Sequence, residues 1–353
     1  MSNTKGNPGF FRRIFKAKFF KSKLFLLLVI WVGLIILFTI WAGINRKNFF
    51  SLQTFIDIGD LLMLSTFLAI GSGILMVSGH LDFSASGIGA FAGVFMAAAM
   101  KFWGFPTGVA IIAAIIISTL LGVLNAVLVN ELKFPSFIAT LASGAVIRGI
   151  GYWLSVEPGK VAPAPVGIKN DVTRFIADGK IAGVPYTLIF ALIVIIIYGL
   201  ILAKTKFGMQ AYLVGGNPQA ARLSGISPRK MYYLLFANSG FLAGITGVIF
   251  MGRVGQGRPD ALLDKQFIGI TAAILGGVSF GGGSGSLAGV FVGLLILNTF
   301  TKGTTIVTFN SYLSTVFSGL LLLVALTLDY LSDRGAKKSV GMIKSAKQIK
   351  VSN

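Results

Sequence analysis

The chain has 353 residues, of which 55% are hydrophobic and 12% charged, and its formal net charge is +20. A soluble domain carries about a quarter charged residues, so this chain has too few charges to cover a water-soluble globule of its size. It has no cysteine and one histidine, which excludes a disulfide framework, a thiolate nucleophile and a multi-histidine metal site. The composition therefore predicts an integral membrane protein.

Basic residues cluster at both ends of the chain, beside the apolar runs, which argues against nucleic-acid binding. Seven precede the first apolar run, and six follow the last one. Clusters of Lys and Arg beside membrane spans mark the cytoplasmic side. Residues 1–23 are therefore predicted to form a basic cytoplasmic or interfacial segment, in which 10–23 is either a short helix on the lipid headgroups or a frayed tail. Residues 331–353 are predicted to form a basic cytoplasmic tail.

Between these ends, residues 24–330 are predicted to form a single all-α transmembrane domain with about ten crossings. A crossing needs roughly 20 apolar residues. The predicted spans are Leu24–Ile44, Leu61–Val77, Ile88–Met100, Thr107–Val129, Phe137–Leu154, Tyr186–Ala203, Tyr232–Met251, Phe267–Val278, Leu287–Phe300 and Tyr312–Tyr330. The third, eighth and ninth are short and broken by glycine, and each is interpreted as a half-helix or as part of a re-entrant hairpin.

Polar residues inside the apolar runs are candidates for the translocation path, because an ionised side chain at mid-bilayer costs about 2.5 to 3.5 kcal/mol on insertion scales. Two interpretations of Asp82 stay open, an N-cap for the third span and a position that lines the path. Arg148 is predicted to snorkel or to pair with Asp82 or with an acid of the outer loop. The candidate path residues are His80, Asp82, Ser84, Asn125, Asn238 and Asn298.

Residues 79–83 resemble residues 276–280, and each segment is followed by Ala-Gly-Val-Phe. Transporters are often built from repeated halves. The predicted spans give the two copies like rather than inverted orientation, so either the similarity is accidental or one crossing is misplaced.

Two loops stand out. Residues 155–185 are predicted to form an external loop that is too small for a folded soluble domain. Residues 204–231 form a loop on the cytoplasmic side with five cations and no acid. Inside it Asn217 is a good N-cap, Pro218 fits the first helical position, and Gly225 suits the left-handed residue that ends a helix. The pattern predicts a short, rigid helix over residues 217–224, either a docking element for a partner or an ordinary structured loop.

This loop carries a resemblance to a known family. The run TKFGMQAYLVGGNPQAARLSGIS, residues 205–227, resembles the coupling loop of the ribose-type ABC sugar permeases, which share a fold group with the branched-chain amino acid permeases. Residues 135–153 are similar to the fifth-span region of that family, residues 272–293 to its glycine-rich late motif, and residues 78–87 to a diverged form of its Gly-Gly-Ile-Asp-Leu-Ser motif. The departures at Ser78–Leu81 and Leu262–Thr271 bear on the substrate rather than on the transport role.

The resemblance implies a type II ABC importer subunit in a prokaryotic plasma (inner) membrane, with both termini in the cytoplasm. The implied partners are cytoplasmic ATPase subunits or a tandem ATPase, an extracellular or periplasmic substrate-binding protein, and a second, identical or different, permease subunit. The residues expected to couple to the ATPase are Asn217, Pro218, Ala221, Arg222, Leu223 and Gly225. The expected solute is a sugar or a similar small polar molecule.

Other functions were weighed against this one. An ABC permease for nucleosides, branched-chain amino acids or a signalling molecule is the nearest alternative. A secondary transporter needs membrane carboxylates placed for ion coupling, and only Asp82 qualifies. The chain contains no G-x-x-x-x-G-K-[ST] motif, so any ATP would be hydrolysed by a partner. No catalytic group, cofactor or metal site is predicted, and an enzyme is the least favoured class.

Overall fold

A computed structural model describes residues 23–168, 170–181 and 183–307 together with the single positions 316, 319, 320, 323 and 327. The predicted interfacial segment before residue 23, the basic tail and most of the predicted span Tyr312–Tyr330 lie outside these residues.

The described residues are almost entirely helical. The long helices are α1 Lys23–Ile44, α2 Leu52–Val77, α3 Ala85–Lys101, α4 Thr107–Asn130, α5 Ser136–Leu154, α7 Tyr186–Lys204, α10 Pro228–Val254, α11 Leu263–Leu275 and α12 Leu287–Ile306. The shorter elements are α6 Asp171–Asp178, α8 Lys206–Gly216, α9 Pro218–Leu223 and the two-residue strands β1 Val166–Gly167, β2 Lys180–Ile181, β3 Val184–Pro185 and β4 Gln256–Gly257.

Seven of the described helices are long and apolar enough to cross a membrane, namely α1, α2, α4, α5, α7, α10 and α12. The structure thus confirms a helical, multi-pass membrane protein, but it does not confirm the predicted count of about ten crossings. The short third and eighth segments are confirmed as helices of 17 and 13 residues. The ninth was predicted to be short and is not, because α12 continues unbroken for 20 residues to Ile306.

Helices α2 and α10 form the centre of the bundle. Helix α10 packs against α2, α3 and α4, and α2 packs against α11 and α12 as well. Glycine permits the closest of these crossings: a Cβ on Gly247 would lie 1.9 Å from the carbonyl oxygen of Gly89 in α3. Close backbone approach of this kind is how small residues pack membrane helices, and it explains part of the high glycine content.

The bundle has two ends that differ in structure. Helix α10 begins beside α9 and ends beside α6, so we call these ends the α9 face and the α6 face. At the α6 face, β1 pairs with β4, and the carbonyl oxygen of Thr173 in α6 lies against Gly252 of α10. The loop 155–185 is therefore fastened onto the end of α10. The assignment of the α9 face to the cytoplasm remains a prediction.

The similarity between residues 79–83 and 276–280 has a counterpart in backbone geometry. Helices α2 and α11 both end at the α9 face in a left-handed glycine, Gly79 (φ 84°) and Gly277 (φ 92°). The residue after each glycine donates its N–H five residues back, His80 to Leu75 and Val278 to Ala273. The helix that follows, α3 or α12, then runs away from this face. The two copies have like orientation, as the spacing of the predicted spans requires.

Candidate functional site: a capped helix, a glycine joint and a buried polar network

The helix predicted over residues 217–224 is present as α9, Pro218–Leu223. The Asn217 side chain accepts hydrogen bonds from the backbone N–H groups of Gln219 and Ala220, both at 3.0 Å. Gly225 has φ 79° and donates to the Arg222 carbonyl, while Ile226 donates to the Ala221 carbonyl. This pair of bonds is a Schellman motif. Both ends of α9 are thus fixed by its own sequence.

One side of α9 is held and the other is free of contacts within the described chain. Ala221 is 3% exposed and Ile226 packs against the main hydrophobic core, whereas Leu223 is 90% exposed and Arg222 is also exposed. An apolar leucine beside a cation at the tip of a rigid element is suited to a complementary protein surface. The geometry agrees with a docking element.

Helix α9 is connected to the bundle through a set of backbone contacts that we call the glycine joint, comprising Val77, Gly215, Gly216 and Gly283. The Gly283 N–H donates to the Val77 carbonyl at 2.8 Å, and a Cβ on Gly215 would lie 1.9 Å from that same carbonyl oxygen. Nearby, the Tyr212 hydroxyl donates to the Gly285 carbonyl at 2.7 Å. The end of α8, the end of α2 and the loop before α12 therefore touch directly, at one residue's distance from α9.

Beyond the joint, the segment between α2 and α3 leads to Asp82, which is 1% exposed. One carboxylate oxygen accepts from the Ser84 N–H (2.8 Å) and hydroxyl (2.5 Å), and the other accepts from the Ser239 hydroxyl (2.6 Å). A buried carboxylate requires such partners, because an unpaired one is strongly disfavoured away from water. Asp82 thereby ties the start of α3 to the middle of α10.

The same network continues into α4 and α5. The Ser143 hydroxyl donates to Asn125 Oδ1 at 2.6 Å, and Asn125 Nδ2 donates to the Ser84 hydroxyl at 2.7 Å. Gln266 of α11 closes it on another side, since its Nε2 donates to the Asp82 carbonyl and its Oε1 accepts from the Ser86 N–H. Side chains from five elements thus meet at the start of α3, and we call them the Asp82 network.

The interpretation of Asp82 as the N-cap of the third span is wrong, because another residue caps this helix. The N-cap of α3 is Ser84, whose side chain makes no capping bond to α3, and Asp82 instead accepts the N–H of Ser84, the N-cap residue itself. Asp82 therefore shapes the turn that leads into the helix. Its hydrogen bond to Ser239, 157 residues away in sequence, is a contact that local chemistry cannot predict.

The remaining candidate path residues lie apart from this network. The His80 ring packs perpendicular to Tyr232 at 4.2 Å between centroids. Asn238 accepts from the Tyr198 hydroxyl at 2.5 Å, which joins α10 to α7. Asn298 is fully buried in α12, where its Nδ2 donates to the Leu294 carbonyl. Asp82, Ser84, Asn125 and Asn298 are all buried in this structure, and a role of these residues in a path stays a prediction.

Arg148 was predicted to snorkel or to pair with Asp82 or an outer-loop acid, and among the described residues it forms no ion pair with an acid. Its Nη1 donates to the carbonyl oxygens of Pro259 (2.6 Å) and Ala261 (3.3 Å), and its Nη2 donates to the Ser86 hydroxyl (3.3 Å). These three acceptors belong to the turn before α11 and to the first turn of α3. The guanidinium is held by hydrogen bonds to neutral acceptors, and Asp260 adds a coulombic attraction without an ion-pair contact.

A cavity of about 490 Å³ adjoins the Asp82 network. It lies between the start of α3, one face of α5 and the start of α11. Its walls include Phe83, Phe137, Phe267, Arg148 and Gln266. Of these residues the sequence analysis singled out only Arg148, because phenylalanine in a membrane span carries no signal that separates a cavity wall from a lipid contact.

At the α9 face the turn between α4 and α5 is tied to the start of α10. Glu131 accepts from the Tyr233 hydroxyl at 2.9 Å and from Arg229 Nε at 2.8 Å. The hydrogen bond from Tyr233, followed by that from Arg229, holds the pKa of the Glu131 carboxyl below its usual value. Glu131 therefore remains ionised at neutral pH and keeps this turn close to the segment that follows α9.

Residues 55–326 match the family described as branched-chain amino acid transport system / permease component. The chain is 31% identical over 300 residues to the ribose import permease protein of Haemophilus influenzae, covering 84% of this chain and 91% of that one. It is 30% identical over 311 residues to the L-arabinose transport system permease protein of Escherichia coli, covering 87% and 92%.

A third relative is the xylose transport system permease protein of Haemophilus influenzae, which is 31% identical over 318 residues and is covered to 84% of its length. The family match includes the glycine joint, the Asp82 network and α9. It is a family of transporter permeases and not of enzymes. With its bundle of apolar helices, this chain belongs to the family of branched-chain amino acid transport system permease components.

Proposed function

We propose that the chain is the membrane subunit of an ATP-driven importer for a sugar or a similar small polar solute. The observation that carries the proposal is α9, a short helix fixed at both ends that presents Leu223 and Arg222 away from the bundle. The names of the relatives support a sugar as solute, since they specify ribose, L-arabinose and xylose.

The motor in this proposal is a separate ATPase, because the chain has no nucleotide-binding motif of its own. The ATPase receives α9 at the cytoplasmic face of a prokaryotic inner membrane. A substrate-binding protein delivers the solute at the α6 face, and a second permease subunit completes the assembly. Both termini then lie in the cytoplasm, in agreement with the basic residues at the two ends of the sequence.

In this mechanism, closure of the ATPases on ATP displaces α9, and α9 is too short and too firmly capped to absorb the displacement. The glycine joint passes the movement to the ends of α2 and α8 and to the loop before α12. The turn at Asp82 lies five residues beyond Val77, so it moves with the end of α2. The candidate path residues, buried in this structure, become exposed to the path in another state of the cycle.

The solute is tested by uptake. A strain that lacks this gene is supplied with the wild-type gene, and entry of radiolabelled D-ribose, D-xylose, L-arabinose, D-allose and L-leucine is compared. Restored uptake of at least one sugar supports the proposal. Uptake of leucine alone favours the amino acid function that the family description names, and uptake that survives removal of the ATPase favours a secondary transporter.

The coupling role of α9 is tested by two substitutions and a control. Arg222→Glu reverses a charge on α9, and Gly225→Val forces a branched residue into the left-handed conformation. We expect both to abolish uptake while the amount of protein in the membrane is unchanged. Lys230→Glu, an equal charge reversal at an exposed position of α10 instead of α9, serves as control. Full uptake by both α9 variants would reject the docking role.

Two further measurements test the assembly and its orientation. The purified chain alone is expected to hydrolyse no ATP, and hydrolysis without a partner would refute a separate motor. A reporter enzyme fused after Asn353 is expected to be active only in the cytoplasm. An externally active fusion would invert the assignment of the two faces.

A further inference from the structure

A groove lies between α7 and α12 on the outside of the bundle, apart from the Asp82 network. Its volume is about 380 Å³, within the range of roughly 300–1,000 Å³ that holds small molecules. Residues of α7, of α8 and of the start of α12 line it, among them Leu192, Ile196, Ala203, Tyr212, Leu287 and Phe291. Because α7 ends and α12 begins at the α9 face, the groove opens towards that face.

The walls of the groove offer an occupant apolar contacts. The described lining residues include no carboxylate, amide or guanidinium. Each of the two polar side chains already makes a hydrogen bond within the chain: the Tyr212 hydroxyl donates to the Gly285 carbonyl at 2.7 Å, and the Ser286 hydroxyl accepts from the Gly289 N–H at 3.1 Å. The groove therefore suits a hydrocarbon chain and not a polar solute.

The length of the groove matches one leaflet of a bilayer. Leu192 and Ala203 are eleven residues apart in α7, which at 1.5 Å per residue is about 17 Å. The hydrocarbon core is about 30 Å thick, so that one leaflet accounts for about 15 Å of it. A membrane-crossing helix would need a groove along the full thickness. The half that adjoins the α9 face fits the acyl chain of one lipid.

Two lysines lie where α7 leaves the groove. Lys204 directly follows Ala203, and Lys206 begins α8 two residues later. Both are exposed, and neither has an acidic partner among the residues that the structure describes. The segment 204–231 also contains no acid that could compete for them. Basic residues beside a cleft between membrane helices attract anionic lipid headgroups.

We propose that this groove binds an anionic phospholipid from the leaflet at the α9 face, with one acyl chain between α7 and α12 and the headgroup on Lys204 and Lys206. Tyr212 lines the groove and also ties α8 to the loop before α12, beside the glycine joint. A chain that packs on the Tyr212 ring keeps α8 against that loop. Only the assignment of this leaflet to the cytoplasmic side rests on the proposed function.

The absence of cysteine from the chain permits a single fluorophore to report on the groove. Ile196→Cys and Ala288→Cys, both at exposed positions that line the groove, are labelled singly with bimane. The full chain is placed in phosphatidylcholine vesicles, and phosphatidylglycerol or phosphatidylcholine with dibrominated acyl chains is added in rising fraction. Bromine quenches the fluorophore on contact. Leu120→Cys on α4 is the matched control, since Leu120 is 59% exposed and Ile196 is 60% exposed.

The expected preference follows from the two lysines. A cation near the surface favours an anionic lipid by about fivefold at low ionic strength, so two favour it by about 30-fold. In the groove variants we expect half-maximal quenching at a fraction of phosphatidylglycerol at least tenfold lower than that of phosphatidylcholine. In Leu120→Cys the two lipids are expected to quench alike.

Charge variants identify the headgroup site. Lys204→Gln combined with Lys206→Gln is expected to abolish the preference, whereas Lys133→Gln combined with Lys230→Gln, two exposed cations of the α9 face outside the groove, is expected to keep it. Equal quenching by the two lipids in both groove variants, or a preference that survives loss of Lys204 and Lys206, would overturn the proposal.

Absence of quenching by either lipid would also overturn it, because protein would then fill the groove, either a second copy or residues 308–330. The measurement needs neither an ATPase nor a solute. Its failure is therefore distinct from failure of the import function, which appears as absence of uptake by the wild-type protein.

Discussion

The glycine joint makes a sharp prediction, because it contains two adjacent glycines with opposite surroundings. A Cβ on Gly215 would lie 1.9 Å from the Val77 carbonyl oxygen and 2.8 Å from the Gly283 nitrogen. A Cβ on Gly216 would meet nothing closer than 3.9 Å, at the Gly283 Cα. Gly215→Ala and Gly216→Ala therefore add the same methyl group to neighbouring positions of one helix end.

The expected magnitude follows from these distances. An ordinary contact of a Cβ begins at 3.4 Å, so in Gly215→Ala the end of α8 must move about 1.5 Å from Val77. Overpacking of this kind costs about 1–3 kcal/mol. If the Gly283 N–H loses the Val77 carbonyl, an unsatisfied donor adds about 1–3 kcal/mol. Gly215→Ala is thus expected to destabilise the protein by about 2–6 kcal/mol, whereas Gly216→Ala is expected to be neutral or slightly stabilising.

The assay compares thermal unfolding of the two purified variants and uptake by the assembled importer. We expect Gly215→Ala to lower Tm by about 4–12 °C, at about 2 °C per kcal/mol for a chain of this size. We also expect it to reduce uptake, because α8 and α2 lose contact. Gly216→Ala is expected to match the wild type in both measurements. Equal Tm and equal uptake for the two variants would show that the joint does not hold these segments together.

Three other predictions concern the site and its surroundings. Asp82→Ala leaves the Ser84 N–H and the Ser239 hydroxyl without an acceptor and is expected to lower the free energy of unfolding by about 3 kcal/mol or more. Asp82→Asn keeps one acceptor oxygen and is expected to lower it by about 1 kcal/mol. Thermal unfolding measures both. Asn217→Ala removes the α9 cap, worth about 1 kcal/mol, and is expected to reduce uptake without a change in Tm, with Asn217→Asp restoring it. Glu157 has its pKa lowered from 4.5 to about 2 by the hydrogen bond from Lys160 and then by that from Lys101. Because the folded pKa lies below the unfolded one, the contribution of Glu157 to stability is present above pH 4.5 and is lost as the pH falls towards 2, so the Tm difference from Glu157→Gln is expected to narrow over that interval.

Local chemistry was sufficient to predict α9. Its N-cap, its first-position proline and its left-handed glycine act within about ten residues of sequence, and each stabilises the same short helix wherever the loop lies. The same holds for most spans, because a continuous apolar run has one stable conformation in lipid, in which its backbone hydrogen bonds are satisfied internally. The error at the end of α12 has a related cause: polar residues such as Thr301 can continue a helix by bonding to the preceding turn, here the Leu297 carbonyl.

The polar network was not predictable in the same way. Asp82 and Arg148 were both recognised as charges that need partners, but opposite charge suggested the wrong ones. Asp82 is satisfied by hydroxyl and N–H donors, and Arg148 by two carbonyl oxygens and a hydroxyl. Neutral partners of this kind are common in sequence, and only the fold decides which of them lies near. The hydrogen bond from Gln266 Nε2 to the Asp82 carbonyl, between residues 184 positions apart in sequence, is an example.

The position of Asp82 explains why a carboxylate, rather than a neutral residue, suits the turn before α3. Five elements meet there, and four of them approach through serine, asparagine or glutamine side chains, each able to donate or accept. A carboxylate only accepts, so it fixes the direction of the surrounding bonds: Ser84 and Ser239 must donate to it, Asn125 must donate to Ser84, and Ser143 must donate to Asn125. One arrangement of hydrogens results, and the start of α3 is held in one place relative to α4, α5 and α10. A turn held in this way is expected to move as a unit when the end of α2 moves. A displacement at the glycine joint would then reach the cavity beside the Asp82 network, whose walls include Phe83 and Gln266.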